Sequence, residues 1–305
     1  MTPVTVIVAG STARTTQIAN CLIQDSRFTV SGIITPSPKP IGRKQALTKN
    51  PLHEFAITND ISVALVEKKL DDAFHQSLVT SYQPPDFLLV VDFGYIVPQW
   101  LLDFPEVAPL NIHPSALPKY RGSSPGQFAL LFGEKESAVT LMVMDTKLDH
   151  GPIVAQWFFA IDPQWTATDY YKNAFDLACA KLPDLLSDLE LQTTNSQPDE
   201  SPTPTARMLK REDGFVSYQT LQELLSGKPA TQVVGFLEHY GLPTTNYQLY
   251  CLWRGFHPWP GLWTFIPENT RMKLIHFHMD GEKLILDEVQ LEGKGPTRQL
   301  PLGLA

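Results

Sequence analysis

Length, composition and charge set the first limits on the class of this chain. At 305 residues it is longer than one hydrophobic core usually supports, which predicts two domains. Its 43% hydrophobic and 18% charged residues are ordinary globular usage, and no apolar run reaches the roughly 18–20 residues that a membrane-spanning helix needs. The formal net charge of −8 argues against nucleic-acid binding over the whole surface, yet residues 205–305 carry ten basic and ten acidic side chains.

The cysteines and the first residues indicate a compartment. Cys21, Cys179 and Cys251 are odd in number and far apart in the sequence, which argues against a disulfide framework or a clustered metal site. The N-terminus has no basic region followed by an apolar stretch and a small-residue cleavage site. We therefore expect a cytoplasmic protein without a bound metal.

Residues 1–191 alternate between strand and helix patterns. Val4–Ala9 is a continuous apolar run, typical of a buried parallel strand, and the turn at Gly10 leads into a helix over about 13–25. The further predicted elements are strand Phe28–Thr35, helix Leu52–Thr58, strand Ser62–Val66, helix Asp71–Ser81, strands Phe87–Val91 and Ala108–His113, helix Pro125–Gly133, the antiparallel pair Ala138–Met144 and Ile153–Phe159, and helix Thr166–Leu191. This alternation predicts an α/β fold with a doubly wound, mostly parallel sheet. A dinucleotide-binding turn needs three glycines, and Gly10 stands alone, which argues against an NAD or ATP cofactor.

A composition change separates this part from the rest of the chain. Residues 192–206 are rich in Ser, Thr and Pro and predict a linker. Residues 207–305 alternate short strands and turns, with a helical stretch near 218–239, and predict a second, smaller domain. The sequence thus divides into a domain over 1–191, a linker over 192–206 and a domain over 207–305.

The chemistry-bearing residues concentrate between Pro109 and Gln156. Asn111, His113 and Ser115 alternate along the end of a predicted strand, so their side chains share one face. Ligands of open α/β sheets gather beyond the carboxyl ends of the strands. Asp149 follows in a glycine turn, within the sequence LDHG. An amide, an imidazole and a hydroxyl that converge there suit chemistry on a small carbonyl group. The amide and the imidazole can donate to an oxyanion, and the Asp149 carboxylate can hold the imidazole and accept a proton.

These motifs resemble one known family. The sequences NIHPSALPKYRG and LDHGPIV are similar to the paired signature of the folate-dependent formyltransferases. The sequences VTVIVAGS, PPDFLLVVDFGYIVP, LKREDGFVSY and RGFHPWPG resemble, in the same order, the members that formylate initiator methionyl-tRNA for translation initiation. The resemblance implies that Asn111, His113 and Asp149 are catalytic and that the formyl donor is 10-formyltetrahydrofolate. It also implies a monomer and a second domain of the oligonucleotide-binding (OB) β-barrel type.

The resemblance also implies where the folate donor binds. The loop Ser115, Ala116, Leu117 and Pro118 carries alanine where the family has a second leucine, which would loosen packing against the folate. In the loop after Phe87–Val91, the expected donor-binding residues are Val91, Phe93, Gly94 and Ile96. Phe93 is either an apolar wall for the donor or a core residue.

The resemblance extends to a basic loop after the second strand, which the tRNA-formylating members carry, and it implies tRNA as the acceptor; the alternative is an ordinary solvated surface loop. Proline and glycine between Pro36 and Gln45 predict a protruding loop rather than a strand, with Arg43, Lys44 and Lys49 as phosphate-binding cations. Arg121, Lys210 and Arg254 are the further residues that we expect to bind tRNA.

Other observations leave alternatives open. Compared with the family, residues 219–253 contain an extra segment, and the barrel ends early, near Leu300. Trp253, Phe256, Trp259 and Trp263 either stack on RNA bases or fill the core of the barrel. Two other functions remain: formylation of a nucleotide-sugar amine, and a non-catalytic folate- or RNA-binding relative.

Overall fold

The computed structural model describes residues 2–41, 45–189, 195–267 and 269–301. The chain separates into two compact units. The first unit consists of Met1–Arg121, Ala138–Phe158 and Asn173–Pro202, and the second of Gly122–Ser137, Phe159–Lys172 and Thr203–Ala305. Predicted domain borders at 191 and 207 stay a prediction, because these units are interleaved in sequence.

A seven-stranded mixed sheet forms the centre of the N-terminal half. Its strands are β1 (Val4–Gly10), β2 (Phe28–Pro36), β5 (Val63–Val66), β6 (Phe87–Val91), β7 (Ala108–His113), β8 (Glu136–Val143) and β9 (Ile153–Ala160), in the spatial order β5-β2-β1-β6-β7-β8-β9. The pairs from β5 to β7 are parallel, and β8 runs antiparallel to β7. The predicted doubly wound, mostly parallel α/β fold is confirmed.

Local sequence signals explain where the helices of this half begin. The helices are α1 (Ala13–Ile23), α2 (Pro51–Thr58), α3 (Asp72–Ser81), α4 (Gln99–Leu102), α5 (Pro125–Leu131) and α6 (Ala167–Ser187). The Thr12, Asn50 and Asp71 side chains accept hydrogen bonds from the first-turn amides of α1, α2 and α3. Such caps satisfy backbone donors that have no partner within the helix. All five residues of β6 are buried, as a central parallel strand requires.

Two predicted elements differ from the structure. The segment predicted as a protruding loop contains an antiparallel hairpin of β3 (Lys39–Ile41) and β4 (Ala46–Thr48). The long helix ends at Ser187 rather than at Leu191, which lies outside the described residues. Local composition did not indicate this short antiparallel ladder, whose stability depends on cross-strand pairing.

The predicted linker 192–206 is bonded to neighbouring segments at several of the positions that the structure describes. Asn195 forms a two-way backbone bridge with Ile153, and Gln197 is 9% exposed. Ala206 is fully buried and accepts a hydrogen bond from the Ser124 amide. Polar composition predicted a solvated spacer, whereas these backbone and amide groups find partners on neighbouring segments.

The C-terminal part is a small mixed domain. It contains a short 3₁₀ helix (Arg211–Gly214), the helices α7 (Tyr218–Leu225), α8 (Gly235–His239) and α9 (Asn246–Phe256), and the strands β10 (Leu262–Phe265), β11 (Arg271–Asp280) and β12 (Lys283–Leu291). These strands form a three-stranded antiparallel sheet. The predicted second, smaller β domain is therefore present, but between residues 207 and 301 the described strands are too few for the five-stranded OB barrel.

The extra segment 219–253 forms the helical layer of this domain. Residues 248–256 of α9 are all buried. The Gln248 side chain donates to the Leu131 carbonyl at the end of α5 (2.6 Å). A Cβ on Gly255 would lie 2.6 Å from the Leu131 side chain, so glycine permits α9 to approach α5 closely. A helix that is buried on every side in this way is a core element.

Aromatic residues of this part have mixed surroundings. Trp253 and Phe256 are buried in the domain core, as the core alternative predicts. Trp259 is 52% exposed, and Trp263 is half-buried on β10. Within the described ranges, no helix combines the length and hydropathy needed to cross a bilayer. The same ranges contain no group of three or more His, Cys, Asp or Glu residues arranged to hold a metal ion.

Candidate active site

Strand β7 positions two of the predicted catalytic side chains. Asn111 pairs with Val90 of the parallel neighbour β6 and with Met142 of β8, and His113 pairs with Thr140. Because alternate residues of a strand share one face, the Asn111 amide and the His113 imidazole lie on the same side. They stand at the carboxyl end of a central strand, where open α/β sheets bind ligands.

Asp149 completes the predicted trio from the connection between β8 and β9. Its Oδ1 lies 3.4 Å from Nδ2 of Asn111 and 3.6 Å from Nδ1 of His113. The side chains of His113 and Asp149 are only 5% and 11% exposed. The structure thus brings together residues from two distant segments, and a single carboxylate oxygen lies near both the amide and the imidazole.

The other ring nitrogen of His113 is held by the backbone. Its Nε2 lies 3.0 Å from the Tyr120 carbonyl oxygen. A carbonyl oxygen only accepts, so Nε2 carries a proton. In the imidazolium form Nδ1 also carries a proton, and this N–H faces the Asp149 carboxylate. At 3.6 Å the Nδ1–Oδ1 separation exceeds a hydrogen bond, so a substrate oxygen placed beside the ring could accept from this N–H.

Residues that the sequence interpretation missed hold the Asp149 turn. The Gln197 amide donates to the carbonyl oxygens of Asp149 (3.3 Å) and Gly151 (2.7 Å). The Gln197 Oε1 accepts a hydrogen bond from the buried Arg121 guanidinium (3.1 Å). A Cβ on Gly151 would lie 1.9 Å from the Val143 carbonyl oxygen, so this turn requires glycine. No local pattern marks Gln197, because it lies in a polar segment that resembles a linker.

The loop after His113 is braced by buried hydrogen bonds. Ser115 is fully buried and its hydroxyl donates to the Lys119 carbonyl (2.7 Å). Thr140 donates to the Ser115 carbonyl (2.6 Å), and Gln156 donates to the carbonyl of Leu117 (2.7 Å). Leu117 is 3% exposed, whereas Ala116 and Pro118 are half-buried. The Ser115 and Leu117 side chains therefore shape the predicted donor loop from within.

The loop after β6 emerges beside β7 at the same sheet edge. Val91 is buried and its carbonyl accepts from the Thr15 hydroxyl (2.8 Å). Phe93 is half-buried against the core of the first unit, and its ring centroid lies 5.2 Å from that of Tyr95. Gly94 is exposed, a Cβ built there meets no atom within 4 Å, and Ile96 is 93% exposed. This loop thus offers open backbone and an apolar side chain beside the polar trio.

The residues predicted to bind tRNA have different surroundings. Lys49 and Lys210 are exposed, and Arg43 and Lys44 lie outside the described residues. Arg121 is 8% exposed and donates to the carbonyls of Asp199 (2.9 Å) and Pro198 (2.7 Å).

Arg254 is also buried. It is 3% exposed and donates to the carbonyl oxygens of Trp165 (2.7 Å) and Asp162 (2.9 Å). A tRNA-binding role does not fit two guanidinium groups that are bonded to internal carbonyls. Their charge pattern gave no sign of this, because the tertiary fold supplies the acceptors.

The trio can stabilise negative charge on a carbonyl oxygen and accept a proton from an amine. The Asn111 amide has a second N–H group beyond the one directed at Asp149, and the His113 Nδ1–H is a charged donor in the imidazolium form. Preorganised donors of this kind are commonly the largest contribution to acyl-transfer catalysis. The Asp149 carboxylate can accept a proton from an attacking ammonium group.

Comparison with known proteins gives the same assignment. A family model described as Formyl transferase matches residues 2–186. Methionyl-tRNA formyltransferase from Wolbachia pipientis subsp. Culex pipiens (strain wPip) is 31% identical over 275 residues, covering 88% of this chain and 85% of the relative.

Solved structures share the fold. Methionyl-tRNA formyltransferase from Clostridium thermocellum matches with a TM-score of 0.59 at 15% identity, covering 94% of this chain and 98% of that one. The N-formyltransferase from Helicobacter canadensis, in complex with folinic acid and dTDP-3-aminofucose, matches with a TM-score of 0.57 at 18% identity and covers 93% and 95% of the two chains. These identities support the fold alone. The sequence match over most of the N-terminal half, joined to the assembled Asn111–His113–Asp149 trio, shows that this chain belongs to the formyl transferase family.

Proposed function

We propose that the protein transfers the formyl group of 10-formyltetrahydrofolate to the amino group of initiator methionyl-tRNA. The observation that carries this proposal is the Asn111–His113–Asp149 trio at the carboxyl end of β7. A non-catalytic relative would not need an amide and an imidazole held 3.4 Å and 3.6 Å from the same carboxylate oxygen.

The residues at this sheet edge fit a folate donor. A formyl amide needs polar donors at its oxygen, and a flat conjugated ring needs apolar surface and backbone groups beside it. The trio supplies the first, and the loop from Val91 to Ile96 supplies the second. Ser115, Ala116, Leu117 and Pro118 form the opposite loop in this proposal, and their buried bracing would keep the pocket rigid.

The reaction follows from the roles of the three side chains. The bound folate supplies the formyl carbon. The Asp149 carboxylate takes a proton from the acceptor ammonium, so that a neutral amine attacks that carbon. The Asn111 amide and the His113 Nδ1–H donate to the oxygen as it becomes negative. The tetrahedral species then collapses: the bond from the formyl carbon to N10 of the folate breaks, N10 takes up the second proton that the attacking amine gives up, and tetrahydrofolate leaves. The Tyr120 carbonyl holds the imidazole in place, and Gln197 holds the turn that carries Asp149.

Methionyl-tRNA is the acceptor that the similar sequences support. The relative at 31% identity that bears this name is covered over 85% of its length. The exposed Lys39 and Lys49 flank the β3–β4 hairpin, where Arg43 and Lys44 also lie in the sequence. This hairpin would contact tRNA phosphates, with exposed Lys210 as a further cation. A monomer in the cytoplasm, where charged tRNA occurs, belongs to the same proposal.

Formylation of a nucleotide-sugar amine is the second candidate. It is favoured by the fold match to the Helicobacter canadensis N-formyltransferase, whose complex contains dTDP-3-aminofucose. The two candidates share the donor and the trio and differ only in the acceptor.

An acceptor assay with one loop variant tests the proposal. The full chain is incubated with 10-formyltetrahydrofolate and either charged initiator tRNA or dTDP-linked amino sugars, and formylated products are quantified by mass spectrometry. We expect formyl-methionyl-tRNA. The variant R43Q/K44Q/K49Q should formylate tRNA less efficiently. The logarithmic slope of its tRNA affinity against salt concentration should fall by roughly one unit for each lost phosphate contact.

The exposed lysines outside the hairpin provide the control. K68Q/K69Q changes two such lysines and should leave the salt slope unchanged. Formylation of an amino sugar but not of tRNA would replace the first candidate with the second. No product from either acceptor would reject both.

A further inference from the structure

The outer face of the C-terminal sheet carries a set of aromatic and basic side chains. In the antiparallel register Phe265 lies opposite Arg271, Trp263 lies opposite Lys273, and Lys273 lies opposite Gln290. Directly opposed residues share a face of the sheet. The other face is the core face, since the intervening Met272 and Leu274 are 0% and 3% exposed.

Three aromatic rings lie along one edge of this outer face. Phe215 forms a parallel bridge with Trp263, and their ring centroids are 4.9 Å apart. Phe265 packs edge-on against Trp263 at 5.4 Å. The Trp263 ring is anchored, because its Nε1 donates to the Arg211 carbonyl (2.9 Å). Phe215 and Phe265 are 40% and 42% exposed, whereas rings that only fill a core are expected to be buried.

Two cations lie beside these rings on the middle strand. The Arg271 guanidinium lies over the Trp263 ring at 4.7 Å from its centroid. Its Nε is buried and has no hydrogen-bond partner in the part of the chain that the structure describes. In that same part, neither Arg271 nor Lys273 forms an ion pair. The two histidines further along β11, His276 and His278, instead share Asp287 at 2.8 Å each.

A pocket joins these cations to the neighbouring strand. It has a volume of about 200 Å³ and is lined by Arg271, Lys273, Gln290, Leu291, Glu292 and Gly293. Two cations against one carboxylate favour an anionic group, and the Gln290 amide adds a polar donor and acceptor. A phosphate oxygen would give the Arg271 guanidinium the acceptor that it lacks here.

We infer that this outer face binds single-stranded RNA, with a base stacked on Phe265 or Phe215 and its phosphate at Arg271 and Lys273. The neighbouring strands that carry Phe265 and Arg271 are about 4.8 Å apart, so a ring and a cation lie side by side on this face. Exposed rings accept bases that are not already paired and stacked, which excludes a duplex. The rings and cations form two neighbouring cross-strand pairs, Phe265 with Arg271 and Trp263 with Lys273. This layout suits a strand of RNA better than one free nucleotide. This inference rests on the proposed function for the source of the RNA, which would be the tRNA acceptor.

A binding assay on the full chain tests this inference. The probe is a fluorescein-labelled single-stranded RNA decamer of mixed sequence, followed by anisotropy at several salt concentrations. F265A should weaken binding at least ~5-fold, the lower end for the loss of one base stack. R271Q/K273Q should also weaken binding and lower the salt slope by roughly 1.4, as for two phosphate contacts on a single strand.

Matched variants exclude general effects. K283Q removes an exposed cation at the far end of the same sheet, opposite Asp280, and F158A removes a 60% exposed ring of the first unit. Both should bind the decamer like the original chain. Circular dichroism of every variant checks that the fold is kept. If F265A and R271Q/K273Q bound the decamer as tightly as the original chain does, the inference would be overturned. The same would follow if duplex RNA or AMP bound as tightly as the decamer.

Parallel formylation assays separate this inference from the proposed function. If the chain formylates methionyl-tRNA while the variants bind the decamer normally, the RNA face is rejected and the function stands. If the decamer binds, the variants weaken it, and methionyl-tRNA is not formylated, the face stands and the acceptor assignment fails.

Discussion

The trio at the end of β7 and the outer face of the C-terminal sheet differ in how far their side chains are exposed to water. His113 and Asp149 are almost buried, and the imidazole is fixed by a backbone carbonyl. The rings of Phe215 and Phe265 are exposed by 40% and 42%, and the neighbouring Lys273 is exposed as well. The trio holds an amide, an imidazole and a carboxylate in a single geometry, whereas the sheet face distributes aromatic rings and cations over an open surface.

This difference determines how each region should respond to substitution. A buried polar group that loses its partner has no water to replace it, so a single change alters the whole arrangement. Exposed rings and cations act nearly independently, and water or salt ions replace each lost contact. We therefore expect large, non-additive losses at the trio and small, additive, salt-dependent losses at the sheet face.

The largest effect should come from the trio. His113→Ala, Asp149→Asn and Asn111→Ala should each lower turnover at least ~100-fold, because each removes an oxyanion donor or the acceptor for the amine proton. Steady-state formylation kinetics with saturating donor measure this loss. Donor binding, followed by calorimetry, should change little.

Asp145 offers a matched control for Asp149. It lies in the same connection between β8 and β9, but its carboxylate bonds to His150 at 2.9 Å. Asp145→Asn should keep near-normal turnover. Near-normal turnover in any two of the three trio variants would show that the catalytic assignment is wrong.

A smaller effect should distinguish a buried arginine from a half-buried one. Arg121→Ala removes a guanidinium that donates to Gln197 and to the carbonyls of Pro198 and Asp199, and it should lower the free energy of unfolding by about 3 kcal/mol. Arg271→Gln loses a stack on Trp263 and should cost about 1 kcal/mol or less. Urea denaturation of the two variants measures both values. Equal costs would remove the distinction between the two regions.

The smallest effect concerns a half-buried pair outside both regions. Cys21 on α1 and Cys179 on α6 are free thiols, and a backbone carbonyl oxygen lies near each sulfur, that of Ile18 at 3.1 Å from Cys21 and that of Gln17 at 3.6 Å from Cys179. The hydrogen bond from Cys21 lowers the pKa of Cys179, although burial opposes the shift. The same hydrogen bond, together with burial, raises the pKa of Cys21.

This pair gives a prediction that depends on pH. A thiol with a lowered pKa forms thiolate at lower pH, and the thiolate is the reactive form. Cys179 should therefore react with iodoacetamide before Cys21 as the pH is raised. In Cys21→Ala the pH profile of Cys179 should move upward, and alkylation near neutral pH should slow by ~2-fold or more. An unmoved profile would mean that Cys21 does not act on Cys179.

Local patterns predicted the elements whose cause is local. The apolar run Phe87–Val91 became a fully buried strand because its burial needs only hydrophobic side chains of sufficient length. Asn111 and His113 share a face because strand geometry alternates side chains, whatever lies around them. The glycine turn that carries Asp149 was also predicted from the sequence LDHG. The structure gives the reason for the glycine, because Gly151 has no room for a side chain.

Partners from distant segments could not be predicted in this way. Arg121 and Arg254 looked like phosphate-binding cations, and only the folded chain supplies the internal carbonyls that they bind. Gln197 looked like part of a linker, but it holds the Asp149 turn. In the C-terminal part, the barrel prediction did not account for a helical layer built around α9.

The sequence by itself determined the α/β class, the order of the strands along the chain and the spacing of Asn111, His113 and Asp149, because periodicity and turn chemistry act over a few residues. The tertiary structure alone decided which charges are buried, which rings are exposed and which segments brace the trio. Those properties depend on burial and on partners that are distant in sequence, and no local pattern encodes either.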